Sequence, residues 1–195
     1  MKVLIACEFS QVVTKAFRVR GHEAYSCDLL STEGNPDWHL QRDVLLETTY
    51  RTNFWDMMIA FPPCTYLANS GVRWLLDNEE RCKQMAEACK FFNALLGAPI
   101  PKICVENPIQ HKYARAFIRK PDQIIQPYHF GNMESKATCL WLKGLPPLMA
   151  KFTGGEGIKQ SVWREPPSEN RKANRSRTFQ GIAEAMAEQW SYDED

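Results

Sequence analysis

Apolar positions along this chain recur at two spacings, one that suits strands and one that suits helices. Val3 to Cys7 is a short apolar run of β type, and between Ser10 and Arg20 the residues Val12, Val13, Ala16 and Phe17 share one helical face before Gly21 supplies a stop. Glu23 to Cys27 predicts a second strand ending at Asp28, so the chain opens strand, helix, strand, which is the start of a parallel α/β sheet. Trp55 to Ala60 predicts another strand. Phe61-Pro62-Pro63 halts it, because neither proline can donate to a ladder, and residues 61 to 71 are expected as loop. From Asn78 to Leu96 the residues Met85, Cys89, Phe92 and Leu96 repeat at helical spacing, with Asn78 as N-cap and Gly97 as stop. Lys102 to Val105 reads as a strand ending at a polar turn, Glu106-Asn107-Pro108. Thr138 to Leu142 reads as a later strand and Gly181 to Trp190 as a closing helix. The stretch Leu145 to Asn174, rich in Pro, Gly, Lys and Glu, predicts a loop or a small irregular flap.

With 195 residues and 44% hydrophobic content, the chain is expected to form one domain around one core. A net charge of +1 excludes a purely electrostatic, histone-like nucleic-acid binder, so any nucleic acid needs a local patch. One candidate is Arg164, Arg171, Lys172, Arg175 and Arg177, just before the last helix, although charge-rich loops are usually only solvated. The seven cysteines are scattered with no CxxC pair, which argues against structural zinc. No signal-peptide core and no membrane-length apolar run is present, so the expectation is a soluble, cytoplasmic protein with reduced thiols and no membrane partner. Trp74, Trp141 and Trp163 read as packing residues.

Several polar residues fall directly after predicted strands, where open α/β sheets bind ligands. The most informative stretch is WDMMIAFPPCTYLANSG, residues 55 to 71. Judged alone, Cys64 in it reads equally well as a small buried residue at a loop start. Judged singly, Glu106-Asn107-Pro108 is more often a surface turn, and Asp28 and Asp43 are more often solvated turn or cap residues. Taken together and in order, these segments resemble the DNA cytosine-5 methyltransferase family. The loop at residues 55 to 71 is similar to that family's catalytic loop, and ICVENPI, residues 103 to 109, to its Glu-Asn-Val segment, with Pro108 in place of valine. Amino-methyltransferases also carry two prolines here, but they open the loop with Asp or Asn where this chain has Phe61.

The resemblance implies a Rossmann-like class I S-adenosylmethionine-dependent methyltransferase sheet with helices on both faces. It makes Cys64 the nucleophile and Glu106 the acid that supports nitrogen 3 of the base, with Pro63, Asn107, Lys136, Arg175 and Arg177 toward the substrate. The chemistry suits a thiol: carbon 5 of cytosine attacks an electrophile only after a nucleophile adds at carbon 6, and a thiolate both adds and leaves readily. Phe9, Ser10, Asp28, Asp43, Pro62 and Gly181 fall to the cofactor, S-adenosyl-L-methionine, with Asp28 toward the ribose and Asp43 toward the adenine amine. Phe9 and Ser10 lie where a helix N-terminus could offer backbone donors to a carboxylate. The family's glycine-rich first turn is absent, since Cys7-Glu8-Phe9-Ser10-Gln11 stands in its place, and Ile182 replaces an asparagine in the closing segment. The chain also resembles small methyltransferase-like proteins of phages and prophages. DNA is the implied partner. A free pyrimidine nucleotide or RNA, a homo-oligomer, and a catalytically inactive methyltransferase-like binding protein are the alternatives, because residues 145 to 174 leave only a short flap where that family carries a large recognition region.

Overall fold

The computed structural model describes residues 1–51, 53–75, 78–154, 157–161, 166, 168 and 177–191. Seven strands form one sheet: β1 (Lys2–Ala6), β2 (Glu23–Asp28), β3 (His39–Gln41), β4 (Met57–Ala60), β5 (Lys102–Pro108), β6 (Gln123–Ile125) and β7 (Thr138–Lys143). Their spatial order is β3-β2-β1-β4-β5-β7-β6. The first five are parallel, whereas β7 runs antiparallel to both β5 and β6. From β1 the chain winds outward to β3, then returns to lay β4 on the other side of β1. The strand order thus reverses between β1 and β4, and in open sheets the crevice beyond the carboxyl ends of such a pair is where ligands sit.

Side chains alternate across the central strands, and both faces are covered. Val3, Ile5, Met57, Ile59, Cys104 and Leu140 pack with helix α1 (Val12–Val19) and helix α4 (Gln180–Gln189) on one face. Leu4, Ala6, Met58, Ala60, Ile103, Val105 and Trp141 pack on the other face with helix α2 (Val44–Tyr50), through Val44, and helix α3 (Glu79–Leu96). This explains why β1 and β4 read as unbroken apolar runs, as strands buried on both faces do. Helix α3 is capped as its sequence predicts: Asn78 Oδ1 accepts from Arg81 N at 3.0 Å, and Gly97 follows the last turn. Its residues Met85, Cys89, Phe92 and Leu95 face the sheet, with Phe92 edge-on to Trp141 at 4.9 Å. Truncating Phe92 to alanine would cost about 3–5 kcal/mol.

The structure differs from the sequence expectation at several boundaries. Glu106-Asn107-Pro108 is not a turn but the end of β5, where Glu106 pairs with Leu140, Asn107 with Cys139 and Pro108 with Thr138. The reason is the antiparallel partner: β7 runs past the end of β4 and continues the ladder, and the proline is tolerated as its terminal residue. Helix α1 begins at Val12 and not Ser10, β4 begins at Met57 and not Trp55, and β7 extends to Lys143. Strands β3 and β6 and helix α2 were not expected from periodicity. In the flap region, residues 145–154 form no strand or helix, although Leu148 is buried and held at both backbone atoms by the Gln123 amide. Among the described residues, no helix is long and apolar enough to cross a membrane.

Candidate active site

The turn from β1 into α1 forms the floor of a cleft at the β1/β4 switch point. Cys7 sits at φ 57°, a left-handed conformation uncommon outside glycine, with its N–H donated to Cys27 O at 2.7 Å. This left-handed residue takes the place of the glycine turn that the sequence lacks. Glu8 folds under the helix: its carboxylate accepts from Val13 N at 2.7 Å, Thr14 N at 3.2 Å and the Thr14 hydroxyl at 2.6 Å. The first-turn amides expected to meet a ligand carboxylate are therefore engaged by the chain's own carboxyl group. Burial pushes the Glu8 pKa up, and the hydrogen bonds to Thr14 and Val13 pull it back.

Gln11, at φ 59° and fully buried, clamps the next loop. Its Nε2 donates to Ser26 Oγ at 3.0 Å and Asn35 O at 2.9 Å, while its Oε1 accepts from Asn35 N at 2.8 Å. Gly34 permits this approach, because a Cβ there would lie 2.2 Å from Gln11 Oε1. The same loop binds the β1–α1 turn, with Glu33 N and the Thr32 hydroxyl both donating to Phe9 O at 2.9 and 2.8 Å. Asp28, at the end of β2, accepts from Leu30 N, and Asp43 caps α2 by accepting from Leu45 N. Each aspartate thus has the turn or cap role that a solvated residue would have. Both are also close enough to Cys7 that their charges add to burial in raising its thiol pKa. Phe9, Ser10, Asp28 and Asp43 consequently converge on one edge of the sheet. The cleft itself is lined by Cys7, Glu8, Phe9, Ser10, Phe61, Arg177 and Thr178.

The second half of the site follows β4 and β5. Ala60 is in register with Val105, so the residues beyond them, Phe61-Pro62 and Glu106-Asn107, run side by side. Asn107 Nδ2 donates to Pro62 O at 2.9 Å and ties the start of the Cys64 turn to β5. Pro62 is buried and Pro63 exposed. The Cys64 carbonyl accepts from Leu67 N and Ala68 N, both at 3.0 Å, which curls the turn. Its far side is pinned by His111, whose backbone N–H donates to Leu67 O and whose Nε2–H donates to Tyr66 O, each at 2.9 Å. Ala114 N donates to His111 Nδ1, which fixes that tautomer. Neither Asn107 nor Gln110 is fully satisfied: Asn107 Oδ1 and both amide atoms of Gln110 are buried without a hydrogen-bond partner. His111 and Gln110 were not anticipated from sequence; a polar pair after a buried strand was the available signal.

Cys27, Cys89, Cys104 and Cys139 are buried, whereas Cys7 and Cys64 are both half-buried. Cys7, Cys27, Cys89, Cys104 and Cys139 all have pKa values raised, with burial the largest cause, Cys139 to about 11 and Cys27 to about 12. Cys64 is half-buried on its turn, and Cys82 is exposed on α3. Glu106 projects by alternation to the α1/α4 face of β5. Desolvation pushes its carboxyl pKa up, and the Lys136 ammonium opposes that rise. Lys136 Nζ lies 5.9 Å from the Phe179 ring at the head of α4. Two residues on, Gly181 N donates to Asn132 Oδ1 at 3.0 Å, and a Cβ at Gly181 would fall 1.9 Å from Phe130 O. Arg177 is paired with Glu33 at 2.7 Å and so faces the cleft loop. Trp163, Arg164, Arg171, Lys172 and Arg175 lie outside the described residues.

No family model matches the chain, and no curated protein matches it in sequence. Among solved structures, the chain is similar to a prophage-encoded E. coli protein named as a DNA modification methyltransferase, at 13% identity and a TM-score of 0.50, over 84% of this chain and 54% of that one. It is also similar to the Dnmt2 methyltransferase of S. pombe at 14% identity and a TM-score of 0.49, over 87% of this chain and 57% of the other. The chain therefore spans little more than half the length of either structure. The strand order, with helices on both faces and a β7 antiparallel to its neighbours, is a Rossmann-like α/β fold, which the chain shares with the prophage protein.

Proposed function

We propose that the chain is an S-adenosylmethionine-dependent methyltransferase that acts on carbon 5 of cytosine in DNA through Cys64. The observation that carries this reading is the 2.9 Å hydrogen bond from Asn107 to Pro62, which sets the turn bearing Cys64 beside the strand end bearing Glu106. The donor set fits the cofactor: Asp28 and Asp43 present carboxylates for ribose hydroxyls and an exocyclic amine, and Phe9 and Phe61 supply apolar surface. When bound, S-adenosylmethionine supplies an electrophilic methyl group. The residues of the chain do the rest. A stacked cytosine shields carbon 6, so the base must leave the duplex before Cys64 can reach it. The Cys64 sulfur, as the thiolate left once its proton has passed to water, forms a bond to carbon 6, and the carbon 5–carbon 6 π pair moves through the ring toward nitrogen 3. Glu106 meets it there, and burial, by raising the pKa of its carboxyl group, makes that group the better able to give a hydrogen. Carbon 5 would be the acceptor of that methyl group, the cofactor leaving as the neutral thioether, and the carbon 5 proton would then pass to water as base. The sulfur–carbon 6 bond breaks as Cys64 is expelled, and Glu106 recovers its hydrogen.

The test is transfer of tritiated methyl groups to duplex DNA, RNA and a free deoxycytidine nucleotide in parallel, with the products digested to nucleosides. Label in 5-methyldeoxycytidine from DNA, abolished by Cys64→Ser, is the expected result. Full transfer by Cys64→Ser would reject the covalent mechanism. Label only in RNA or the free nucleotide would replace the substrate, and cofactor binding without transfer to any of the three would favour a methyltransferase-like binding protein.

A further inference from the structure

We propose that the Arg177–Glu33 ion pair is a latch across the cleft and that Arg177 exchanges Glu33 for the carboxylate of the cofactor's amino-acid arm. This rests on the cofactor reading above. The argument begins with the helix end that would ordinarily hold such an anion. Glu8 already accepts from Val13 N, Thr14 N and the Thr14 hydroxyl beneath α1, so those amides are not open to a ligand. The surroundings are moreover acidic. Glu8 lines the cleft, Asp28 and Asp43 act electrostatically on Cys7 at its edge, and Glu33 stands on the loop bound to Phe9 O. Such a field suits the sulfonium and ammonium groups of the arm and repels its carboxylate unless a cation stands close by.

Among the cleft-lining residues Cys7, Glu8, Phe9, Ser10, Phe61, Arg177 and Thr178, Arg177 alone carries a positive charge. Its guanidinium is held at 2.7 Å by Glu33, with the two side chains 43% and 41% exposed. An ion pair that open to solvent is weak and readily exchanged. A ligand carboxylate offers the same planar, two-oxygen partner that Glu33 provides, but from inside the cleft, where fewer waters compete. The pair also joins two elements that wall the cleft, the β2–β3 loop through Glu33 and the lead into α4 through Arg177. Its opening removes that tie between them while Gln11 and Phe9 still hold the loop.

Calorimetry on the full chain tests this with two nucleosides, S-adenosylhomocysteine, which keeps the amino-acid arm, and 5′-methylthioadenosine, which lacks it. Arg177→Ala is expected to weaken S-adenosylhomocysteine by about tenfold or more and to leave 5′-methylthioadenosine within about twofold. Glu33→Gln, which removes the competing carboxylate but keeps its shape, is expected to tighten S-adenosylhomocysteine and leave the second nucleoside unchanged. Equal weakening of both nucleosides by Arg177→Ala would make the pair a structural strap and overturn the exchange. Unchanged S-adenosylhomocysteine binding in Arg177→Ala, or weaker binding in Glu33→Gln, would overturn it while leaving the cofactor reading intact. Wild-type protein that bound neither nucleoside would remove the cofactor reading, and this inference with it.

Discussion

Asn107 Nδ2 lies 2.9 Å from Pro62 O, so a side chain from the end of β5 holds the first backbone carbonyl of the turn that carries Cys64. The contact is buried, and Asn107 is 1% exposed. Asn107→Ala removes the donor and leaves the Pro62 carbonyl without it, which is expected to destabilise the fold by about 1–3 kcal/mol. Asn107→Asp should be worse than alanine at neutral pH, because a carboxylate would then face a carbonyl in a dry site. Denaturant midpoints of the two variants check the order. An aspartate variant as stable as wild type would mean that this hydrogen bond does not set the turn.

Glu106 makes stability depend on pH in a stated direction. Burial raises its pKa above the ordinary value of 4.5, so the folded protein keeps a proton that the unfolded chain has already released. Its contribution is greatest below the ordinary value and is lost as pH rises toward the folded-state value. Glu8, also raised, adds a slope of the same sign. Glu106→Gln carries no charge at any pH and is expected to flatten its share of the slope, gaining on wild type in urea midpoints as pH rises. Methyl transfer should fall strongly in the same variant, since the shape is kept but the acid is lost. An unchanged slope would show that the carboxyl is solvated in the folded state.

How much of this could be read from sequence follows from where each signal is stored. Strands β1 and β4 and helix α3 announce themselves because burial on both faces, or at helical spacing, writes a run of apolar residues such as Met57-Met58-Ile59-Ala60. Strands β3 and β6 have three residues each, too few for any periodicity to register. The strand character of Glu106 to Pro108 belongs to β7, about thirty residues downstream, and no local property of Glu-Asn-Pro contains it. The positive φ of Cys7 and Gln11 was equally hidden, since glycine is the residue that usually advertises such a turn. Partners far apart in the chain, such as Arg177 and Glu33, are out of reach for the same reason, and sequence alone offers Arg177 only as one member of a basic patch. Glu8 was more nearly accessible: an acidic residue a few positions ahead of an amphipathic helix is a capping signal.

Gly181 is expected to resist any side chain. A Cβ there would meet Phe130 O at 1.9 Å and Asn132 Oδ1 at 2.7 Å, and the first of these is backbone that cannot swing aside. Gly181→Ala should therefore push α4 off the Phe130–Asn132 segment and weaken the Asn132 hydrogen bond to its first turn, for a loss of about 1–3 kcal/mol. Gly154→Ala, with open space around its Cβ but a φ of +132°, serves as a comparison in which only backbone strain enters. Thermal midpoints that fell equally in both would show that the close approach at Gly181 is not what selects glycine.

The last prediction separates two effects that meet at Gln11. Its side chain makes three hydrogen bonds that clamp Asn35 and Ser26, and its backbone stands at φ 59°, where a Cβ is disfavoured. Gln11→Ala loses the clamp and keeps the strain, for an expected loss of about 2–3 kcal/mol. Gln11→Gly loses the same clamp but relieves the strain, so it should be the more stable of the two by about 1 kcal/mol. Both variants should release the loop that bears Glu33, seen as faster amide exchange at Glu33 and Asn35, whose N–H groups bond Phe9 O and Gln11 Oε1 in the intact protein. An alanine variant at least as stable as the glycine one would mean that residue 11 does not hold a left-handed backbone in solution. Unchanged exchange at Asn35 in both would mean that the amide clamp is not what fixes the loop over the cleft.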